Sequence, residues 1–177
     1  GADSITANNG TNVIDAGTED DTITAASGTN TITAGDGDDT INLNNGTNSV
    51  VAGSGVDTIT VASGINTVHA DDGDDVITLN AGNNTVFGAS GADSITANNG
   101  TNVIDAGTED DTITAASGSN TITAGDGDDT IELNNGTNSV VAGSGVDTIT
   151  VASGTNTIDA GLGDDRITLE AGDNTVF

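Results

Sequence analysis

A nine-residue period runs through the whole chain and limits its fold more than any other feature. The repeats begin at Gly1, Gly10, Glu19 and Gly28 and continue at the same interval to the end of the sequence. The fifth position of each repeat is Ile or Val, and the seventh is Ala, Val or Leu with one exception, Gly88. Residues two apart share a face of a β-strand, so each repeat predicts a short strand with these side chains inward and Ser or Thr outward. A helix cannot satisfy this spacing.

The third position of the repeat shows that the structural unit is twice as long. It is Asp in every odd repeat and Asn in every even repeat, which makes the true period 18 residues. Two strands per coil predict an all-β fold, a parallel β-roll or β-solenoid with two sheets and about ten coils. At a rise of about 4.8 Å per coil, the rod would be roughly 48 Å long.

A third period of 90 residues relates the two halves of the chain, which differ at only ten aligned positions. We therefore predict one elongated domain made of two near-identical units, residues 1–90 and 91–177. Such a recent duplication is expected of a slice through a longer array, or of a rod whose ends join others.

The charge of the chain excludes several classes of partner. There are 28 acidic residues against a single Arg and no Lys, giving a formal charge of −27. We expect no binding to nucleic acid or to anionic membranes, and no membrane insertion, because no apolar run is long enough. The absence of Cys excludes disulfides and thiolate metal sites. This composition is typical of secreted or cell-surface proteins, and we expect that location.

Most of the acids fall in, or flank, the turns that enter the odd strands, so one edge of the rod carries most of the charge. At a spacing of about 4.8 Å, neighbouring carboxylates would repel each other by roughly 0.9 kcal/mol even in water. A bound cation is needed, and carboxylate and carbonyl oxygens without His or Cys favour Ca²⁺. The predicted metal ligands are Asp3, Asp21, Asp39, Asp57, Asp75, Asp93, Asp111, Asp129, Asp147 and Asp165.

Segments such as Ala34–Ile41, Ala52–Ile59 and Ala124–Ile131 resemble the G-G-x-G-x-D-x-U-x nonapeptide of RTX calcium-binding β-rolls. The resemblance covers the whole chain in period, but in residues it is good only at the odd turns, where Ala replaces the first Gly of the motif. It implies a right-handed roll, typically in a secreted protein, with calcium held between successive turns by the Asp carboxylates and backbone carbonyls.

The even turns depart from this pattern, because Asn replaces Asp and the double glycine is lost. We predict a stacked asparagine ladder there, in which each side-chain amide binds the next.

The outward positions of the odd strands form a second candidate site, because Ser or Thr occupies most of them. Spacings of about 7 Å along a strand and 4.8 Å between strands approach the ice lattice, so an ice-binding face is one interpretation; a soluble β-surface is the other. The Thr residues concerned are Thr6, Thr22, Thr24, Thr40, Thr58, Thr60, Thr78, Thr96, Thr112, Thr114, Thr130, Thr148, Thr150 and Thr168.

The outward positions of the even strands are less uniform, and their scattered apolar residues would suit lateral packing or simple exposure. They include Val51, His69, Phe87, Val141 and Phe177.

Three functions remain open at this point, and none of them is enzymatic. The chain has one His, no Cys and no Lys, and a thin rod filled by Ile and Val leaves no substrate cavity. The leading hypothesis is a calcium-stabilised structural module of an extracellular fibre, surface layer or large adhesin, which self-associates end to end or laterally. The alternatives are an ice-binding solenoid and the calcium-binding tail of a secreted enzyme or toxin.

Overall fold

The computed structural model describes all residues from Gly1 to Phe177 and contains strands and turns only. Its twenty strands are β1 (Ser4–Ala7), β2 (Thr11–Thr18), β3 (Thr22–Ala25), β4 (Thr29–Asp36), β5 (Thr40–Leu43), β6 (Thr47–Ser54), β7 (Thr58–Val61), β8 (Ile65–Asp72), β9 (Val76–Leu79), β10 (Asn83–Ser90), β11 (Ser94–Ala97), β12 (Thr101–Thr108), β13 (Thr112–Ala115), β14 (Ser119–Asp126), β15 (Thr130–Leu133), β16 (Thr137–Ser144), β17 (Thr148–Val151), β18 (Thr155–Leu162), β19 (Arg166–Leu169) and β20 (Asp173–Val176).

Two parallel ten-stranded sheets run along the rod, one made of the odd strands and the other of the even strands. Each strand pairs with the strand of the same sheet in the next coil, 18 residues away, as in the pairs Ile5↔Ile23 and Ile14↔Ile32. The predicted β-solenoid and its 18-residue coil are therefore confirmed. The ladder of the even sheet passes from β8 to β10 and on to β12, and that of the odd sheet passes from β9 to β11, so both sheets continue across residues 90 and 91.

The core lies between the two sheets as one cluster of 33 buried apolar residues. Ile or Val from the fifth position of each nonapeptide and Ala, Leu or Val from the seventh fill it, as the pattern predicts. Small Ala residues alternate with larger side chains, so the sheets stay close together and no room is left for a ligand.

The two kinds of strand differ in length, which the nonapeptide pattern does not predict. The odd strands have four residues, whereas the even strands β2 to β18 have eight, because their ladder continues beyond the core to pairs such as Gly17↔Gly35. Glycine permits this close stacking of turns: a Cβ atom on Gly73 would lie 1.7 Å from the carbonyl oxygen of Gly55, and its φ is +141°. No helix is present that could cross a bilayer.

Candidate metal centre

The acidic edge consists of three-residue turns that join each even strand to the following odd strand. In every turn the third residue is Asp, and from the second coil to the ninth its side chain is buried, with at most 2% of its surface exposed. These residues are Asp21, Asp39, Asp57, Asp75, Asp93, Asp111, Asp129 and Asp147. Asp3 and Asp165, in the two end coils, are more exposed. The structure therefore aligns all ten predicted ligands in one column and buries eight of them.

One oxygen of each buried carboxylate is bound by the neighbouring coil. The backbone N–H of Asp39 donates to Oδ1 of Asp57 at 2.8 Å, and the N–H of Asp57 donates to Oδ1 of Asp75 at 2.7 Å. The same bond recurs at every step from Asp3 to Asp165. These bonds fix the direction of each carboxylate and tie the turns together along the axis of the rod.

The other oxygen, Oδ2, has no hydrogen-bond partner in any of the eight buried residues. An unpaired buried carboxylate oxygen is costly, because the charged group has lost its water without gaining a partner. Eight such atoms in one line are a repeated feature of the fold. Together they form a column of buried carboxylate oxygens whose charge has no partner in the protein.

The electrostatics of the column support this interpretation. Burial raises the pKa of Asp57, Asp75 and Asp111 to about 7, although the backbone N–H bond lowers it and neighbouring carboxylates raise it further. Burial likewise raises the pKa of Asp93 and Asp129 to about 6. At neutral pH these groups are stable only if a proton or a cation compensates the charge.

Backbone oxygens complete the donor set. A Cβ atom placed on Gly88 would lie 2.1 Å from Oδ2 of Asp93 and 2.3 Å from the carbonyl oxygen of Ala106, so two oxygens converge where Gly88 lacks a methyl group. No backbone N–H donates to the carbonyl oxygens of Gly37 and Asp38. No group of three or more acidic or His side chains comes together, so a cation here would need further oxygen ligands, such as backbone carbonyls, beside one or two carboxylates. Such an all-oxygen set fits Ca²⁺.

The outer acids of the same edge have a different task. Oδ1 of Asp38 accepts the backbone N–H of Val56 at 2.8 Å, and Oδ1 of Asp36 accepts the hydroxyl of Ser54 at 2.9 Å. These exposed carboxylates cap the following turn while remaining in water. The register of the nonapeptide separates them from the column of ten, but it does not predict that they remain exposed.

Two glutamates at the acidic edge are functional residues that the sequence pattern does not predict. Glu19 and Glu109 replace the leading Gly of a nonapeptide and adopt positive φ values of 75° and 76°. Oε2 of Glu109 accepts the N–H of Gly91 at 2.8 Å and also the hydroxyl of Thr108. The side chain of Glu109 thus stabilises the turn of the preceding coil, although the positive φ strains its own backbone. In the sequence, only the replacement of the leading Gly distinguishes these two positions.

The opposite edge contains the predicted asparagine ladder, which is confirmed. Nδ2 of Asn48 donates to Oδ1 of Asn66 at 2.7 Å, and Nδ2 of Asn66 donates to Oδ1 of Asn84 at 2.8 Å. The second amide proton of Asn66 points to the carbonyl of Ser63 at 3.3 Å. Nine such steps join Asn12 to Asn174, so this column satisfies itself without an ion.

The Thr residues of the candidate ice-binding face lie on the outer side of the odd sheet, in register from coil to coil. Thr22 pairs with Thr40, which pairs with Thr58. On the outer side of the even sheet, the rings of His69 and Phe87 stack with centroids 4.6 Å apart. The two faces of the rod therefore differ in chemistry.

A two-sheet solenoid with a line of buried, unpaired carboxylates defines a calcium-binding β-roll. The family model of the RTX calcium-binding nonapeptide repeat matches residues 1–23, 24–59, 60–95, 80–113, 96–131, 114–149 and 150–177. The chain belongs to this family, and Ca²⁺ is its metal.

Among solved structures, the chain is similar to "a hyperactive, Ca2+-dependent, beta-helical antifreeze protein from an Antarctic bacterium". The TM-score is 0.70 at 19% sequence identity, and the match covers 99% of this chain and 80% of the other. At this identity the likeness demonstrates the fold alone. Comparison with curated protein sequences gives no match.

Proposed function

We propose that the chain is a calcium-stabilised structural rod of an extracellular fibre, surface layer or large adhesin. The observation that supports this most directly is the column of eight buried carboxylates, each with an unpaired Oδ2. Calcium bound along this column would lock every coil to the next. The rod would then supply length and stiffness, and further copies would extend it end to end or pack beside it.

The calcium requirement also suits a secreted protein. Extracellular calcium modules work at affinities of about 10⁻⁴–10⁻³ M, a concentration that the cytosol does not reach. Because the chain has a formal charge of −27, its acidic turns would repel one another and stay open while calcium is scarce. Outside the cell, calcium would neutralise the acidic edge and close these turns. A structural rod of this kind needs no catalytic residue.

The test is circular dichroism together with small-angle X-ray scattering, in calcium and in a chelator. The protein is quantified by peptide absorbance, because it contains no Trp or Tyr. We expect a β-rich rod roughly 48 Å long in calcium, from ten coils at about 4.8 Å each, and a loosened rod with open acidic turns and a weaker β signal in the chelator. Mg²⁺ at the same concentration is the control, because its octahedral demand suits this site less well.

A longer protein, extended in tandem by one more 90-residue unit, separates the rod role from calcium binding. Its scattering length should grow in proportion to the number of coils. A calcium-loaded tandem that bends or collapses to a compact particle would contradict the rod, even if calcium still folds each unit.

Ice binding is a second candidate, favoured by the regular Thr columns on the odd sheet. Thr60→Tyr would disturb this face, and Thr31→Tyr, at an exposed position of the even sheet, is the matched control. If the face binds ice, thermal hysteresis in calcium falls in the first variant and is unchanged in the second. Absence of hysteresis in the parent protein would eliminate this candidate without affecting the rod.

A further inference from the structure

The neutral edge of the rod, outside the calcium column, contains four Asn-Gly pairs in its exposed turns. They occur at Asn9, Asn45, Asn99 and Asn135, each followed by the Gly that leads the next nonapeptide. The other coils have Ser or Ala at the same place, as in Ser27, Ser63 and Ala81. The ladder asparagines lie three residues further along and are a separate set, of which Asn48, Asn102 and Asn138 are buried.

Three of these pairs share one hydrogen bond. The backbone N–H of Gly46 donates to Oδ1 of Asn45 at 2.8 Å, and Gly100 and Gly136 make the same bond to Asn99 and Asn135 at 2.8 Å. The backbone nitrogen of the glycine thus touches the carboxamide of the residue before it. This nitrogen makes no backbone hydrogen bond, so it can react without breaking the sheet ladder.

From this geometry we propose that Asn45, Asn99 and Asn135 are sites of spontaneous deamidation in the folded protein. A solvent base removes the proton of the Gly46 amide, and the nitrogen attacks Cγ of Asn45. The new C–N bond closes a succinimide while the side-chain nitrogen leaves as ammonia. Water then opens either carbonyl of the ring, giving Asp or isoaspartate.

The fold contributes proximity and access to this reaction. The fold holds the glycine nitrogen close to the Asn carboxamide, so the reaction does not wait for a rare chain conformation. Glycine also has no side chain to obstruct the approach. All three asparagines are exposed, so base and water reach them. Asn9 is arranged differently, because its Oδ1 accepts the hydroxyl of Ser27. Asn44 precedes another Asn rather than Gly and should react slowly.

The reaction would change the character of the neutral edge. Each event adds a carboxylate where the turns have almost none, and the isoaspartate product also lengthens the backbone of the turn. The coils leave little room for that, since a Cβ on Gly46 would lie 2.2 Å from the carbonyl oxygen of Gly28. Deamidation is therefore an irreversible, time-dependent switch from an uncharged stacked edge to a charged and loosened one.

The experiment incubates the calcium-loaded protein in mildly alkaline buffer and follows each Asn by peptide mass spectrometry with electron-transfer fragmentation. We expect ammonia loss at Asn45, Asn99 and Asn135 at least about tenfold faster than at Asn44 and Asn9. A triple variant, Asn45→Ser, Asn99→Ser and Asn135→Ser, uses the residue that neighbouring coils already carry. It should keep the fold and lose the acidic species on ion exchange.

The same chain in urea provides the reference rate for an unfolded Asn-Gly pair. If the three sites remain intact in the folded protein while they deamidate in urea, the fold protects them and the proposal is wrong. Equal rates at all exposed asparagines of the folded protein would also overturn it. Neither result bears on calcium binding.

Discussion

Replacing Asp75 with Asn tests the calcium column most directly, because the exchange changes charge with almost no change in shape. Asp75 is 1% exposed, its Oδ1 accepts the N–H of Asp57 at 2.7 Å, and its Oδ2 has no partner. The amide oxygen of Asn can accept the same bond, while its NH₂ group takes the place of Oδ2. The variant Asp75→Asn therefore removes one buried charge and one proposed calcium ligand together.

Whether Asp75→Asn raises or lowers the free energy of unfolding should depend on the presence of calcium. Burial raises the pKa of Asp75 from 3.8 to about 7, which means that ionised Asp75 destabilises the calcium-free fold by about 4 kcal/mol near neutral pH. A buried NH₂ group without a partner costs about 2 kcal/mol in return. In a chelator the variant should thus be more stable than the parent by about 2 kcal/mol. In saturating calcium it should be less stable, because a ligand has been lost.

Urea unfolding followed by far-ultraviolet circular dichroism, in calcium and in chelator, measures both signs. The control is Asp72→Asn, which removes the same charge from an exposed position of the same edge and should change stability little in either medium. A variant Asp75→Asn that is destabilised equally in both media would refute the reasoning, since its carboxylate would then act only as a hydrogen-bond acceptor.

Three further predictions concern the pH dependence, the neutral edge and the stacking of the turns. In a chelator, the free energy of unfolding should fall as pH rises from about 4 to 7. The reason is that the raised pKa values of residues such as Asp57 and Asp111 make the folded state bind more protons than the unfolded state. Thermal midpoints measured across this pH range check the prediction. Asn66→Ala should cost about 2–4 kcal/mol with and without calcium, since it leaves two buried amide groups unpaired; equal losses in urea titrations would confirm it. Gly73→Ala should destabilise more than Gly17→Ala, because both have positive φ but a Cβ on Gly17 has nothing within 4 Å; equal thermal shifts would contradict this.

The nonapeptide pattern is sufficient to predict the coil, the two sheets and the core. The alternation predicts strands, and the strict 18-residue period predicts that they stack as a solenoid in which Ile23 and Ile32 are both buried. The Asn ladder can also be predicted, since an amide is both donor and acceptor and can bind its own copy in the next coil. In each case the repeat permits a single arrangement that satisfies the residue.

The arrangement at the acidic edge cannot be predicted in the same way. Periodicity places Asp57 in a column but does not determine which of its oxygens accepts the N–H of the preceding coil, and it does not predict that Asp57 is buried while Asp38 is exposed. That distinction depends on side-chain rotamers and on the path of a three-residue turn. The eight-residue length of β4 is unpredictable for a related reason, because backbone pairing between glycines leaves no apolar signal in the sequence.

The two columns differ by one side-chain atom per coil, since Asn has an NH₂ group where Asp has an oxygen. The Asn edge is satisfied without an ion, whereas the Asp edge is not. Asn and Asp occupy the same position of the nonapeptide and have nearly the same shape. Each Asn donates forward to the next Asn, so its column closes on itself. Each Asp accepts a backbone N–H from the preceding coil, so its column keeps one unpaired oxygen per turn. We therefore expect calcium to act at only one edge, and its removal should open the acidic turns while the Asn ladder and the Ile core still hold the coils together. Hydrogen exchange in a chelator would then be faster at the N–H of Asp57 than at the N–H of Thr67, on the even sheet beside the ladder.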